Sequence, residues 1–290
     1  MIRGKRIGII GCGNMGEALL LRLTNVVDKS TCLMVSEADA ARRDYIQSKY
    51  KIIVEMDNNA VVKFADVIIL AVKPKDFEDV FRHEVCCGLS DKKLLISIGA
   101  GITTGYIESI AGKDTPVVRA MPNMAAIVGE AITALASGSS AGEKDMDTAR
   151  EIFSLVGDVV EVDEKYMDAV TAISGSGPAY FFYIIEALTE AAESLGLKSD
   201  VARRLALKTA LGSSKLLETI KTDPAVLIKK VASKGGTTEA ALNVFEHKNL
   251  KATINAAVKA ASKRSKELSR SFGSSTGSGL RPERSRRARG

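Results

Sequence analysis

Residues 233–238, Ser-Lys-Gly-Gly-Thr-Thr, set two adjacent glycines among hydroxyl side chains and just ahead of a helical run. Gly235 and Gly236 let the backbone turn tightly with its N–H groups uncovered, and the positive end of the following helix points at the same place. The chemistry this allows is capture of a small anion. Ser233, Thr237 and Thr238 add hydroxyls that orient a polar ligand, but supply neither a strong base nor a metal ligand. A Ser/Thr-capped helix start is the competing reading of the same residues.

A second constellation lies near the other end. Residues 7–16, Ile-Gly-Ile-Ile-Gly-Cys-Gly-Asn-Met-Gly, lead an apolar run into Gly-x-Gly-x-x-Gly, and a helical pattern follows from Glu17. In that context the string reads as a dinucleotide fold: Gly11 permits the turn, Gly13 lets a pyrophosphate approach the backbone, and Gly16 allows close helix-to-strand packing. Asn14 and Met15 open the helix whose N-terminus faces the phosphates.

Three loops, at the ends of the fourth, fifth and sixth strands, are expected to converge on the same ligand, and two further segments bear on its adenosine side. The end of the second strand carries Ser36 and Glu37, and a carboxylate there holds the adenosine ribose hydroxyls and repels a 2′-phosphate. Arg42 and Arg43, a turn further on, speak instead for the phosphorylated coenzyme, so NAD and NADP both remain open. Asn58 is either part of a polar helix cap or an adenosine-side contact. Ala71, Val72, Lys73 and Pro74 close the fourth strand, Gly99, Ala100 and Gly101 leave room beside the fifth for a nicotinamide ring, and Met121 and Asn123 end the sixth.

The elements that must position these residues are legible as alternating apolar runs and helical patterns. Strands are expected at 6–10, 31–36, 52–54, 67–72, 93–98, 116–119, 130–135 and 159–162, with a helix over 141–155. From about Asp163 the strand signals stop, and 166–173, 178–195, 201–219, 224–232, 237–247 and 250–268 read as helices. The expected fold class is α/β: a doubly wound Rossmann-type sheet over 1–163, then an all-helical domain over 164–270 for substrate and dimerisation, then a disordered basic tail over 271–290. The run from Pro178 to Leu188, at the start of the expected 178–195 helix, is apolar almost all round, which asks for burial on most sides and hence a second copy of the chain.

Composition narrows the function classes. The 290 residues, 46% of them hydrophobic, suffice for two domains. Of the formal charge of +6, nine Lys or Arg and two Glu fall within 263–290, so the body is not basic and a nucleic-acid partner is not expected. No apolar run approaches a bilayer span, the N-terminus has no signal-peptide pattern, and a cytoplasmic protein without membrane association is the expectation. Four cysteines without a framework spacing and only two histidines, His83 and His247, give no expectation of disulfides or of a metal site.

Taken together, Ile10-Gly11-Cys12-Gly13-Asn14-Met15-Gly16, Ala71-Val72-Lys73-Pro74, Val118-Arg119-Ala120-Met121-Pro122-Asn123, Ser174-Gly175-Ser176-Gly177-Pro178-Ala179-Tyr180 and Ser233-Lys234-Gly235-Gly236-Thr237-Thr238 resemble the pyrroline-5-carboxylate reductase family from about residue 5 to 270. The resemblance implies reduction of the ring imine of 1-pyrroline-5-carboxylate to L-proline by NADPH or NADH, the last step of proline synthesis. It further implies an intertwined homodimer that assembles to a higher oligomer such as a decamer. By motif, Ser233, Gly235, Gly236, Thr237 and Thr238 would hold the substrate, with Thr238 as the catalytic hydrogen-bonding group. The chain departs from the family pattern at Met124-Ala125, where Thr-Pro is usual, and at Lys234, where proline is common. Two other readings stand beside this one: a hydroxyacid dehydrogenase, disfavoured because 178–195 has no lysine to serve an alcohol, and a non-catalytic nucleotide-sensing dimer.

Overall fold

The structure is a computed structural model that describes residues 2–112 and 114–274. The first unit opens with β1 (Ile7–Ile10), α1 (Asn14–Leu23), β2 (Leu33–Ser36), α2 (Ala40–Tyr50), β3 (Ile53–Glu55) and α3 (Asn58–Phe64). It continues with β4 (Val67–Leu70), α4 (Pro74–Val80), β5 (Leu94–Ser97), α5 (Thr104–Ala111), β6 (Val117–Met121), β7 (Ala131–Ser137), α6 (Glu143–Ser154), β8 (Gly157–Glu161) and α7 (Met167–Val170). The strands form one sheet in the order β3-β2-β1-β4-β5-β6-β7-β8. Every pairing is parallel except β6 with β7.

This is the doubly wound arrangement expected from the sequence. β1, β4 and β5 are buried along their whole length because helices cover both faces, which is why they read as unbroken apolar runs rather than as alternations. One face packs Ile7 and Ile9 against Leu19, Leu20 and Phe153. The other packs Ile10, Ile68 and Leu70 against Val61, Phe77 and Ile107. Winding reverses between β1 and β4, and the register there sets Ile10 beside both Ser36 and Leu70. The residues just past these three, Gly11, Glu37 and Ala71, are therefore brought to one edge of the sheet, where such folds bind ligands.

The second unit, residues 172–261, is helical: α8 (Gly177–Ser194), α9 (Ser199–Ile220), α10 (Pro224–Val231), α11 (Thr237–His247) and the start of α12 (Leu250–Ser274). Pro178 sits in the first turn of α8, where a missing N–H costs nothing, and Gly196 takes a left-handed φ of +93° just past its end.

Several boundaries differ from the sequence expectation. The first unit runs to Thr171 and regains the chain from Ser262, instead of ending at residue 163 with the helical domain continuous to 270. Side chains explain the difference. Glu164 accepts from Thr104 N (2.8 Å) and Thr104 Oγ1 (2.6 Å) and pairs with the buried Arg119 (3.2 Å), while Asp168 accepts from Ser265 Oγ at 2.6 Å. Gly101 is in close contact with Leu268, and the Phe272 ring lies 5.9 Å from that of Tyr106. The expected helix over 166–173 is broken: a 3₁₀ turn, Glu164–Tyr166, leads into the four-residue α7, which passes into a π-helical turn, Thr171–Gly175. The final helix runs on to Ser274 rather than stopping near 268, so 271–274 are not part of a disordered tail; residues 275–290 lie outside the described residues.

The aromatic contact gives a first prediction. Phe272→Ala removes a partly buried ring that packs, tilted, against Tyr106, so the full chain should lose about 1–3 kcal/mol of stability in denaturant titration. An unchanged midpoint would show that the end of α12 is not part of the fold.

Candidate functional site

At the β1/β4 switch point a cleft of ≈ 700 Å³ opens. That is within the range of about 300–1,000 Å³ that small-molecule sites occupy. Its lining includes ten of the residues singled out from the sequence: Gly11, Gly13, Asn14, Ser36, Glu37, Arg42, Asn58, Ala71, Val72 and Lys73. Gly11 N donates to Ser36 O (2.9 Å) and Ala71 N to Ile10 O (2.8 Å), which ties the three strand exits together.

The glycines divide by what a side chain would meet. At Gly11, with φ +85°, a Cβ would lie 3.0 Å from Ala71 O, and at Gly16 it would lie 2.5 Å from Gly11 O. Both are needed to bring α1 onto β1. A Cβ at Gly13 would meet no protein atom, so the space above it is left for a ligand. Gly13 is also the N-cap of α1 and no side chain caps that helix, so its first N–H groups face outward as an anion site. Ser36 Oγ, buried at the cleft wall, has no hydrogen-bond partner among the described residues. Bare backbone donors, room for a pyrophosphate and an unclaimed hydroxyl fit a dinucleotide.

The charges beside the exit of β2 are fixed by backbone bonds. Glu37 accepts from Cys12 N (2.9 Å) and Asp39 N (3.1 Å). Arg43 donates from Nη1 to both Glu37 O and Ala38 O, whereas Arg42 lines the cleft and donates to Cys12 O at 2.9 Å. Burial pushes the Cys12 thiol up to about 12, so it stays a neutral part of the loop. Asn58 lines the cleft and donates to Glu84 Oε2 (2.8 Å), while the helix cap is its neighbour Asp57. Glu84, with Met56, Asp76 and Val80, completes a wall that sequence reasoning missed, since nothing in their spacing sets them apart from an ordinary helix surface.

Other expected residues lie outside this cleft's lining. Met15 and Gly16 are inside α1, Met15 packing on the core. Pro74 starts α4. Gly99 and Gly101 are buried, the first against Ile102 and the second against the last helix, and Ala100 between them is half-buried. Met121 belongs to β6 and packs on the cluster of Ala134, Ala136 and Met167, while Asn123 caps the following 3₁₀ turn by accepting from Ala125 N. Among the described residues no group of three or more His, Cys, Asp or Glu could hold a metal, and no helix is long and apolar enough to cross a membrane.

In the second unit, residues 233–238 form the expected turn. Gly235 has φ +71°, Gly236 N donates to Ser233 O (3.0 Å), and Gly236 is the N-cap of α11 without any side-chain cap. The capping alternative for the hydroxyls is therefore not realised: the side-chain hydroxyls of Thr237 and Thr238 make no hydrogen bond to described residues and Thr238 is half-exposed. Glu239, unremarked in the sequence, accepts from Gly235 N at 2.6 Å, so a carboxylate already occupies one of the loop's donors. On α8 only Gly177 is buried; Phe181 is 61%, Tyr183 72% and, just beyond, Leu195 85% exposed. Such a face asks for cover.

Comparison with known proteins agrees with these features. Residues 164–268 match the family described as pyrroline-5-carboxylate reductase dimerisation, and residues 6–101 match that described as NADP oxidoreductase, coenzyme F420-dependent. The chain is 41% identical over 256 residues to the pyrroline-5-carboxylate reductase of Synechocystis, across 87% of this chain and 94% of that protein. It is 39% identical over 274 residues to the one from Mycobacterium leprae, across 87% and 93%. The crystal structure of Plasmodium falciparum pyrroline carboxylate reductase with NADP bound is similar at a TM-score of 0.83 and 30% identity, covering 92% of this chain and 98% of that one.

The two kinds of glycine should separate in experiment. Gly13→Ala, at an N-cap position, should cost less than about 1 kcal/mol of stability yet lose about tenfold or more in dinucleotide affinity, because the methyl meets no protein atom and fills ligand space. Gly16→Ala, pressed on a backbone oxygen, should cost about 1–3 kcal/mol of stability. Equal effects on folding, read by thermal melts beside a binding titration, would contradict the assignment.

Proposed function

The chain belongs to the pyrroline-5-carboxylate reductase family, and from that premise we propose that it reduces the ring imine of 1-pyrroline-5-carboxylate to L-proline with NADPH or NADH. The observation that carries the reading is the pairing, in one chain, of a cleft fitted to a dinucleotide with an uncapped double-glycine loop rimmed by free hydroxyls. A bound nicotinamide supplies the hydride. The protein's own work is to bind, orient and exclude water. Gly11, Gly13 and the start of α1 take the pyrophosphate, and Ser36 and Glu37 the adenosine ribose. Gly99, Ala100, Gly101, Met121 and Asn123 are assigned to the nicotinamide side by motif.

In the second unit the N–H groups of Gly236, Thr237 and Thr238 and the Ser233 hydroxyl are assigned to the substrate carboxylate. For that carboxylate to reach Gly235 N, Glu239 has to release it. Thr238 Oγ1 is assigned to the ring nitrogen, where it orients the imine and holds the proton that keeps its carbon electrophilic. Neither alternative reading is favoured by the family membership: α8 offers no lysine to an alcohol, and the loop a non-catalytic dimer would not need is intact. The exposed face of α8 is assigned to a homodimer, with the decamer as a further assembly step. A cytoplasmic location, without nucleic acid or membrane, completes the proposal.

Turnover is tested by following NADH or NADPH oxidation that depends on pyrroline-5-carboxylate. Thr238→Val should lower kcat by about 10²-fold or more, since a positioned proton donor contributes about 10²–10⁴. Its stability and coenzyme affinity should hold, because the hydroxyl caps nothing. Near-normal turnover at saturating coenzyme would leave the loop as a carboxylate clamp only.

The assembly has its own test. Ile184→Asp should drive the dimer to monomer in light scattering, because a buried unpaired carboxylate costs several kcal/mol. An intact dimer would move the interface off α8, and the same measurement on the unmodified chain reads whether assembly continues to a decamer.

A further inference from the structure

Glu17, on the first turn of α1, is not part of the cleft lining, yet it is the acceptor for four side chains. Its Oε1 accepts from Lys49 Nζ (2.8 Å), Tyr50 OH (2.8 Å) and Tyr45 OH (3.1 Å), and its Oε2 accepts from Arg42 Nη2. Partial burial works to raise its pKa, but hydrogen bonds from Lys49, Tyr50 and Arg42 outweigh it and bring the group to about 2. The carboxylate is therefore ionised throughout the neutral range.

Arg42 does line the cleft, beside Glu37 and Ala38. The edge of its guanidinium that carries Nε and Nη2 is committed to Cys12 O and Glu17, and the Tyr45 ring lies 5.0 Å from Cζ. Nη1 has no partner among the described residues. This unspent cation edge in the cleft lining is thus held in place, with a carboxylate behind it and the Glu37 carboxylate, itself fixed by two backbone N–H groups, beside it. Seen from a ligand, Arg42 with Glu17 is closer to a dipole than to a full charge, and a dianionic 2′-phosphate gains correspondingly less from it.

We propose that Glu17 is a specificity-determining residue for the coenzyme: by pairing with Arg42 from behind, it withholds that cation from a 2′-phosphate and keeps NADH competitive with NADPH. The inference rests on the dinucleotide reading of the cleft. Glu17 touches no coenzyme atom in this scheme and acts through Arg42, so it is a positioning residue. Lys49 shares the carboxylate from the other side and weakens its hold on Arg42.

The test is calorimetric titration of the full chain with 5′-AMP and with adenosine 2′,5′-bisphosphate, which differ by the 2′-phosphate alone. In Glu17→Gln the affinity ratio should shift toward the bisphosphate by about fivefold or more, the scale of a partly exposed ion pair. Adding Arg42→Gln should remove that gain. An unchanged ratio, a gain that survives Arg42→Gln, or no binding of either nucleotide overturns the proposal. Should Glu17→Gln fail to fold, Lys49→Gln leaves Arg42 as the only cation on Glu17, and the ratio must then fall; a constant or rising ratio overturns the proposal equally. Neither nucleotide carries a nicotinamide or meets the substrate, so this result and a failed turnover assay are independent of one another.

Discussion

The close approach of α1 to β1 is the constraint on which the rest of the first unit depends. At Gly16 a Cβ would stand 2.5 Å from the Gly11 carbonyl oxygen, so only a glycine lets the helix begin where it does. Gly11 in turn sits under Ala71 with a left-handed φ, which brings the exits of β1 and β4 into contact. With these in place the uncapped start of α1 faces the cleft, and the exit of β2 delivers Glu37 to the same loop. A bulky residue at either position would shift all three exits together, because each is hydrogen-bonded to the next.

On that frame the electrostatics are arranged in layers. The glycine loop offers N–H donors, the Glu37 carboxylate spends itself on one of them at Cys12, and Arg42 accepts restraint from the loop's carbonyl and from Glu17. Fixed dipoles and held charges cost little reorganisation when a charged ligand arrives, which is the physical content of a preorganised site. The double-glycine loop before α11 follows the same logic with fewer parts: a left-handed glycine, an uncapped helix start and free hydroxyls.

Much of this was legible in the sequence, for reasons that also explain what was not. β1, β4 and β5 announce themselves because strands buried on both faces must be apolar throughout, and the glycine spacing announces the loop because at Gly11 and Gly16 the geometry tolerates nothing else. The sequence leaves Asn58 between two roles because a polar residue near a helix start serves either; the fold makes Asp57 the cap and turns Asn58 to Glu84 in the cleft wall. Gly101 read as room for a ring, yet it is packed on Leu268, a contact across more than 160 positions that no local pattern carries. Glu17 and Glu239 were invisible for a related reason. Glutamate is an ordinary helix residue, and what sets these two apart is the partners they meet: Arg42 and Lys49 for one, Gly235 N for the other. The change of helix type near residue 170 has no proline or glycine within 164–170 to announce it, and the long-range ties beside it, Glu164 to Arg119 and Asp168 to Ser265, carry no local pattern either.

The central claim is that the dinucleotide's hydride ends on the ring carbon of a pyrroline imine. It is tested most directly by incubating the chain with 1-pyrroline-5-carboxylate and NADH or NADPH deuterated at the transferring position, then analysing the product by mass spectrometry. The account predicts L-proline carrying one deuterium, at the former imine carbon, with none lost to solvent. Coenzyme consumed without labelled proline, or no proline at all from a folded chain that binds the dinucleotide, would contradict it.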